Sequence, residues 1–333
     1  MAGEWDSVPE DERVWEYKPN LPAALVFCIF WFITVIIHFI QMIQHRKWYL
    51  SVLIMGSIWE LIGFVLRVVS TYYPVEVKYY APSMSFIVLA PVLIIAFYYM
   101  TVGRLILLFL PEKRVFRIPA HRITLLFLAG DIFSFLIQMV GTNLLVSSDP
   151  TASEFEMGQN ILIAGLAVQT GVFLLFIILT IRFEHNYTRA FGSDLDFEEG
   201  RERWRKFMRV INICCVCIVI RSIFRLAEFA MPYPGVLVRY EAPFYLLEAV
   251  PMLPCSYLFH WHHPAKVLVG EESSFRIAGK ERKRVKKEEK AEKKAAKKEK
   301  KEMKKAAKRA KVFDEDEMEL GQVSENRRAS LSV

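Results

Sequence analysis

The chain has 333 residues, of which 53% are hydrophobic and 24% are charged, and its formal net charge at pH 7 is +7. Its mean hydropathy is nevertheless positive, at +0.25, so apolar and charged residues must occupy separate stretches. This composition argues against an ordinary soluble domain and is typical of a membrane protein. The five cysteines all lie inside apolar stretches, and no framework of extracellular disulfides is implied.

The first twenty residues are polar and acidic, and seven apolar windows follow them. A membrane-spanning helix needs about 20 mostly apolar residues to cross roughly 30 Å of hydrocarbon. The fold class predicted is therefore an all-α membrane protein with a bundle of seven transmembrane helices. The windows that meet the requirement are residues 21–43, 49–70, 83–110, 123–146, 158–181, 207–230 and 242–261.

Basic residues in the short loops predict the orientation, because loops rich in Lys and Arg stay in the cytoplasm. One set of flanks is weakly basic and contains Arg13, Lys18, Lys78 and Arg239. The other set is predicted to be cytoplasmic and contains the tail together with Arg46, Lys47, Lys113, Arg114, Arg117, Arg122, Arg182, Arg189, Arg201, Arg203, Arg205 and Lys206. This places the N-terminus outside and the C-terminus in the cytoplasm.

Three domains follow from this topology: an extracellular segment (1–20), a seven-helix transmembrane domain (21–262) and a cytoplasmic basic tail (263–333). Between Lys280 and Lys311 nearly every residue is Lys, Arg, Glu or Ala, which predicts a solvated helix followed by a disordered end. The tail is expected to bind anionic lipid headgroups, or else to act as a solvated spacer. Ser330 follows two arginines and fits a basophilic-kinase site.

Ionisable residues recur inside the predicted spans, where each costs about 2.5–3.5 kcal/mol and therefore faces the bundle interior. We expect Glu248 to pair with one or more of the arginines of the outer half. A surplus of positive charge there would suit an anionic headgroup or a phosphate, whereas the plainer interpretation is that the pairs fix helix register. The predicted substrate-binding residues are Glu60, Arg67, Arg221, Arg225, Glu228 and Glu248.

Two further ionisable residues, Arg104 and Asp131, fall in the inner half of the membrane and are expected to form a structural charge pair. No metal site is predicted. The cysteines from Cys214 to Cys217 share one helix and cannot point three thiolates at one ion. The histidines from His260 to His263 are more typical of an interfacial belt, with Trp261 as its anchor.

In order and spacing, several short motifs resemble the fungal lipid-translocating exporters, the seven-span RTA-like family associated with aminocholesterol resistance. The match covers about residues 17–266. The residues that carry it are Tyr17-Lys18-Pro19, Glu60, Gly63, Arg67, Ala90-Pro91, Gly103-Arg104, Asp131 to Gly141, Gly158, Gly165, Gln169, Arg221, Arg225, Glu228, Glu241, Tyr245 and His263-Pro264. One departure is Glu248, where the family usually has an aspartate.

The resemblance implies transport of amphipathic lipids such as sphingoid bases, or resistance to toxic amphiphiles, in the plasma membrane or an endomembrane. Membrane lipids are the partners it implies, and no cofactor or nucleic-acid partner is expected. A seven-helix receptor is the alternative, because its topology is the same. A retinal protein is excluded, since residues 242–261 contain no lysine for a Schiff base.

An enzyme is not predicted. Of the seven histidines, only His38 lies deep in a predicted span, so a histidine-rich zinc site cannot be assembled there. The sequence also lacks a Gly-x-x-x-x-Gly-Lys-Ser/Thr loop, so direct use of ATP is not supported.

Overall fold

The computed structural model describes residues 12–110, 113–116, 118–145, 152–191, 198–231 and 235–268, together with residues 5, 8, 9, 284 and 303. The chain divides into two compact units, residues 1–273 and 274–333. In the second unit the described residues are Arg284 and Met303, and both are helical. Ser330 and most of the predicted tail helix lie outside the described residues.

Six long helices are apolar enough to cross a membrane by length and composition, and they correspond to the first six predicted spans. The chain is therefore an all-α, multi-pass integral membrane protein. Inside the described part, the strands are a short antiparallel pair, β1 (Arg114–Val115) and β2 (Ile118–Pro119). The helices are α1 (Leu21–His45), α2 (Ser51–Tyr72), α3 (Val77–Phe109), α4 (Ala120–Leu145), α5 (Ala152–Phe191) and α6 (Glu198–Ala230).

After a single turn, α7 (Val236–Arg239), the chain is helical again from residue 241 to residue 261. We call this stretch the 241–261 helix; it corresponds to the seventh predicted span. It begins as α8 (Glu241–Pro243), passes through a π-helical segment (Phe244–Ala249) and ends as α9 (Val250–Trp261). A π-helical turn inserts an extra residue and often marks a functional position. Glu248 lies inside it and is completely buried.

Consecutive helices are neighbours in the bundle, and α9 contacts both α6 and α1, which closes the ring. The most buried of the six long helices is α3, which also contacts α5 and α9. The outward faces of α1, α4 and α5 instead carry large exposed apolar side chains, such as Phe32, Phe133 and Leu175. Such a surface is costly in water and suits contact with lipid tails.

Glycines bring two helix pairs into close contact. Gly63 of α2 lies against Ser83 and Ile87 of α3, and Gly141 of α4 lies against α5. A Cβ added at Gly141 would lie 2.7 Å from the backbone nitrogen of Leu162 and 2.8 Å from the carbonyl oxygen of Gly158. Small residues allow this approach, and the resulting packing is a main source of helix association in lipid.

Each end of the bundle is covered by chain outside the long helices. Before α1, the buried Trp15 packs edge-to-face on Tyr80, with ring centroids 4.6 Å apart. After the 241–261 helix, His263 and Leu268 are buried, and Lys47 donates a hydrogen bond to the Leu268 carbonyl. The packed unit thus continues beyond residue 262, where the sequence analysis placed the start of the tail.

Replacing Gly141 by alanine is expected to lower the melting temperature of the detergent-purified protein, because the backbone atoms of α5 cannot move away from the new methyl group. Gly171 is the matched control, since a Cβ built there meets nothing within 4 Å. Its alanine variant should be neutral or slightly stabilising, as alanine is favoured over glycine in a helix by about 1 kcal/mol. Equal melting temperatures for the two variants would contradict the close α4–α5 contact.

Candidate functional site

Three helices, α2, α6 and the 241–261 helix, carry the charged residues discussed here. The sequence predicts Glu60 near the middle of the membrane and the others in its outer half: Arg67, Arg221, Arg225, Glu228, Glu241 and Glu248. They form two groups. Arg67 pairs near the N-terminal segment, whereas Glu60, Arg221, Arg225, Glu228 and Glu248 lie together and are called the ion network below.

Arg67 lies in an aromatic cage and is completely buried. Its guanidinium group lies 4.4 Å from the ring centroid of Trp15 and 4.1 Å from that of Phe244. One amino group donates to Glu241 Oε1 at 2.7 Å and to the Tyr17 hydroxyl at 2.9 Å. Ring faces and a carboxylate together compensate for the lost hydration of the cation.

The second oxygen of Glu241 completes this connection, because it accepts a hydrogen bond from the backbone N–H of Asn20 at 2.7 Å. Burial raises the pKa of Tyr17 to about 12, so its hydroxyl group is neutral at physiological pH. Arg67 therefore joins the N-terminal segment, α2 and the beginning of the 241–261 helix. Its contacts are those of a structural clamp, although the sequence analysis placed Arg67 among the substrate-binding residues.

Glu248 is the centre of the ion network. Its Oε1 atom accepts hydrogen bonds from both Arg221, at 3.2 Å, and Arg225. Arg225 also donates to Glu228 at 2.7 Å, one turn along α6. The sequence analysis expected Glu248 to meet one or more of the arginines, and the structure brings it to two of them.

A proline explains why Arg221 reaches across to α3. Pro91 has no N–H group, so the carbonyl oxygen of Ile87, four residues earlier, loses its helical donor. Arg221 lies within 3.4 Å of this oxygen and within 3.5 Å of the Val88 oxygen, and it donates to both. A backbone acceptor in the membrane interior must be satisfied by such a neighbour. Arg221 therefore links Glu248 to α3.

Glu60 differs from Glu228 and Glu248 in that it forms no salt bridge within the described residues. It is 2% exposed, and its Oε1 atom has no hydrogen-bond partner among the described residues. Arg221, Arg225 and Glu248 are the charged groups that act on it electrostatically. It lies three residues before Gly63, where α2 and α3 are closest. Glu60 is thus a buried carboxylate with an acceptor atom to spare.

The charge balance corrects one expectation from the sequence. A surplus of positive charge was predicted, because three arginines were counted against fewer deep carboxylates. In the structure, Arg67 is paired with Glu241, which leaves Arg221 and Arg225 facing three carboxylates. With every group ionised, the ion network is therefore short of one positive charge. This favours a cationic ligand group over an anionic one.

The expected ion pair between Arg104 and Asp131 does not form. Arg104 lies over the ring of Tyr49, 4.2 Å from its centroid, whereas Asp131 faces Tyr99. Five residues separate Tyr99 from Arg104, which is about 140° around a helix. A carboxylate beside Tyr99 is therefore turned away from Arg104.

Sequence reasoning missed a group of polar contacts between α1, α2 and the 241–261 helix. His38 lies beside Ser256, and Ser256 lies beside Ser57. Isolated serines in apolar windows give little signal, because a hydroxyl group usually bonds to its own helix. The described residues contain no group of three His, Cys, Asp or Glu side chains that could hold a metal ion.

Comparison with known proteins shows to which family the chain belongs. The family model described as RTA1 like protein matches residues 53–271, a range that includes every member of the ion network. The chain belongs to the RTA1-like family. This confirms the resemblance that the sequence motifs indicated.

Three proteins with similar sequences come from fungi. The chain is 34% identical over 276 residues to the probable lipid transporter atnI of Emericella nidulans, covering 80% of this chain and 71% of that protein. It is 24% identical over 297 residues to the sphingoid long-chain base transporter RSB1 of Saccharomyces cerevisiae, covering 78% and 75%. Protoporphyrin uptake protein 1 of the same yeast is 32% identical over 198 residues, covering 60% and 63%. No solved structure matches.

The clamp around Arg67 predicts a large effect of a small change. Glu241→Gln keeps the shape of the side chain but leaves the buried guanidinium group without its carboxylate, which should destabilise the protein by about 3 kcal/mol. The control is Glu76→Gln, which breaks an exposed ion pair with Lys78 and should cost less than about 1 kcal/mol. Thermal unfolding of the two detergent-purified variants measures the difference, and equal stability would contradict the clamp.

Proposed function

We propose that this protein translocates amphipathic lipids that carry an amine in the headgroup, with sphingoid bases as the representative substrate. The supporting observation is the ion network, which lies inside the helix bundle and holds three carboxyl groups against two arginines. The names of the lipid-transporting relatives are consistent with this function.

Glu60 is the proposed contact for the amine. An ammonium group has hydrogen-bond donors and no acceptor, so it complements a carboxylate with an unpartnered oxygen. The headgroup would then replace the missing positive charge of the network. Arg221, Arg225 and Glu228 would hold Glu248 and the neighbouring backbone in place, and they would contact the hydroxyl groups of the headgroup.

The apolar faces of α1, α4 and α5 support the proposal that the lipid tail stays in the membrane while the headgroup crosses. A lipid tail costs little free energy when it stays in the hydrocarbon, whereas a charged headgroup is costly to move through the hydrocarbon alone. A polar interior reached from the side lets the headgroup cross while the tail remains in lipid. The protein then lowers the barrier for the headgroup alone.

The proposed topology has seven transmembrane helices, with the 241–261 helix as the seventh. The extracellular segment (1–20) would lie outside, and the tail (263–333) in the cytoplasm of a fungal cell, with the plasma membrane as the membrane of residence. The basic stretch from Lys280 to Lys311 would lie near anionic lipid headgroups, each basic residue contributing about 1 kcal/mol. A phosphate on Ser330 would weaken this attraction.

Substitution of Arg221 or Arg225 by alanine should slow lipid movement more than it lowers the amount of folded protein. Each change removes contacts to a charged group worth roughly 2 kcal/mol, which corresponds to a roughly 30-fold change. The assay follows a fluorescent sphingoid base across liposomes containing equal amounts of folded protein. Arg209→Ala is the control, since Arg209 lies on the same helix but is exposed.

Normal flip rates for both α6 variants would contradict the proposed site. A loss of folded protein without a change in flip rate per molecule would show that the network serves stability alone.

Glycosylation tests the orientation. Asn186-Tyr187-Thr188 is an Asn-x-Thr sequon near the end of α5, on the side that the topology places in the cytoplasm. We expect no glycan at Asn186 when the protein is expressed in yeast. As a positive control, a sequon placed in the segment before α1 should be glycosylated. A glycan on Asn186 that an endoglycosidase removes would reverse the proposed orientation.

A further inference from the structure

A chain of polar side chains lies between α1, α2 and the 241–261 helix, and the proposed lipid site does not use it. His38 is completely buried, as are Ser57 and Ser256. His38 Nε2 lies 3.1 Å from Ser256 Oγ and 3.2 Å from the Ser256 carbonyl oxygen. Ser256 Oγ in turn lies 3.1 Å from Ser57 Oγ. We call these three residues the relay.

The hydrogen bonds of Gln41 indicate which nitrogen of His38 carries a proton. Gln41 donates from Nε2 to the His260 carbonyl oxygen at 2.8 Å, so its Oε1 atom is the one that faces His38 Nδ1, at 3.3 Å. An amide oxygen can only accept. His38 Nδ1 is therefore a donor, and the neutral ring leaves Nε2 as the acceptor.

Ser256 then matches both protonation states of His38. When the ring is neutral, the Ser256 hydroxyl group donates to Nε2, and Ser57 then donates to Ser256 Oγ instead of to the Leu53 carbonyl oxygen. When the ring is protonated, Nε2–H donates to the Ser256 carbonyl oxygen, and no heavy atom has to move. A histidine with only a packing role needs hydrogen-bond partners in one protonation state, whereas a histidine that carries protons needs them in both states.

At one end, the relay reaches α2 one turn before Glu60. Ser57 and Glu60 are three residues apart on α2, so they share a face and lie one turn apart. Both are buried, and Glu60 Oε1 has no partner in the described residues. A bridging water molecule would complete the path, since water can link two polar groups that do not touch each other.

At the other end, histidine rings continue towards the end of the bundle where α1 finishes. The rings of His38 and His260 lie 4.5 Å apart, and those of His45 and His263 also lie 4.5 Å apart. His45 is seven residues after His38 on α1, which is about 10 Å along the axis. Burial lowers the pKa of His263 to about 4, so that ring is neutral at physiological pH.

We propose that the relay conducts protons between this end of the bundle and Glu60, and that lipid translocation is coupled to proton movement. The inference rests on the proposed function, because Glu60 is the group that would bind either the amine or a proton. The titratable groups that face His38 are His260 and His263, and α2 presents the Ser57 hydroxyl group to the relay.

Charge balance makes the coupling an exchange. A proton leaves water at the bundle end, passes through His38 and the two serine hydroxyl groups, and binds the Glu60 carboxylate, which becomes neutral. A neutral Glu60 no longer holds an ammonium group, so the lipid headgroup is released as the proton arrives. Loss of the proton restores the carboxylate, and no electron changes hands.

The test uses full-length protein in liposomes that contain the trapped pH dye pyranine, with a nitrobenzoxadiazole-labelled sphingoid base as the probe. A pH difference of about one unit across the membrane should shift the distribution of the label between the two leaflets. Addition of the label should in turn change the internal pH. Both changes should be larger than in protein-free vesicles. His38→Gln should reduce both effects by roughly tenfold or more while equilibrium binding of the label is retained. Ser256→Ala should do the same and serves if His38→Gln does not fold.

His185→Gln is the matched control, since His185 is an exposed histidine on α5, and it should behave as the wild type. Wild-type protein that moves the label without proton flux would overturn the relay and leave the proposed function intact. The relay would also be overturned if both variants coupled lipid movement to proton movement as strongly as the wild type does. Wild-type protein that neither binds nor moves the label would overturn the proposed function and the inference with it.

Discussion

A buried guanidinium group needs an acceptor wherever it meets lipid or protein interior, and most of this molecule's polar architecture satisfies that requirement. Arg67 is held by Glu241, Tyr17 and ring faces, and Arg221 and Arg225 converge on one oxygen of Glu248. These contacts tie α2, α6 and the 241–261 helix together. Since an uncompensated buried charge is strongly destabilising, the arginines fix how the helices meet.

The carboxylates that satisfy the arginines also determine what the interior can bind. Once Arg67 is paired with Glu241, the ion network keeps one carboxylate more than it has arginines, and Glu60 is the member that forms no salt bridge within the described residues. A packing role alone would be met by equal numbers of opposite charges. Under the proposed function this imbalance would favour a cation, and a primary amine and a proton are the two cations that the proposals assign to it.

Much of the fold could be predicted from the sequence, because apolar windows of sufficient length leave few alternatives in lipid. The pairing of Glu248 with α6 followed from helix depth and spacing. Depth in the membrane alone could not predict the partners of Arg104 and Asp131. Both were assigned to the inner half of the membrane, but they face different neighbours around the bundle axis. The excess of carboxylates was also hidden, because it depends on Arg67 pairing with Glu241, and the contact of Arg221 with the Ile87 carbonyl depends on the local effect of Pro91.

The proposed function depends on the recognition of a cationic headgroup by Glu60. The most direct measurement compares the binding of a labelled sphingoid base with that of its N-acylated, uncharged analogue, in purified wild-type protein and in Glu60→Gln. If Glu60 binds the amine, the wild type prefers the labelled sphingoid base over its N-acylated analogue. Glu60→Gln loses this preference while it still binds the N-acylated analogue. An unchanged preference for the amine in Glu60→Gln would contradict the account.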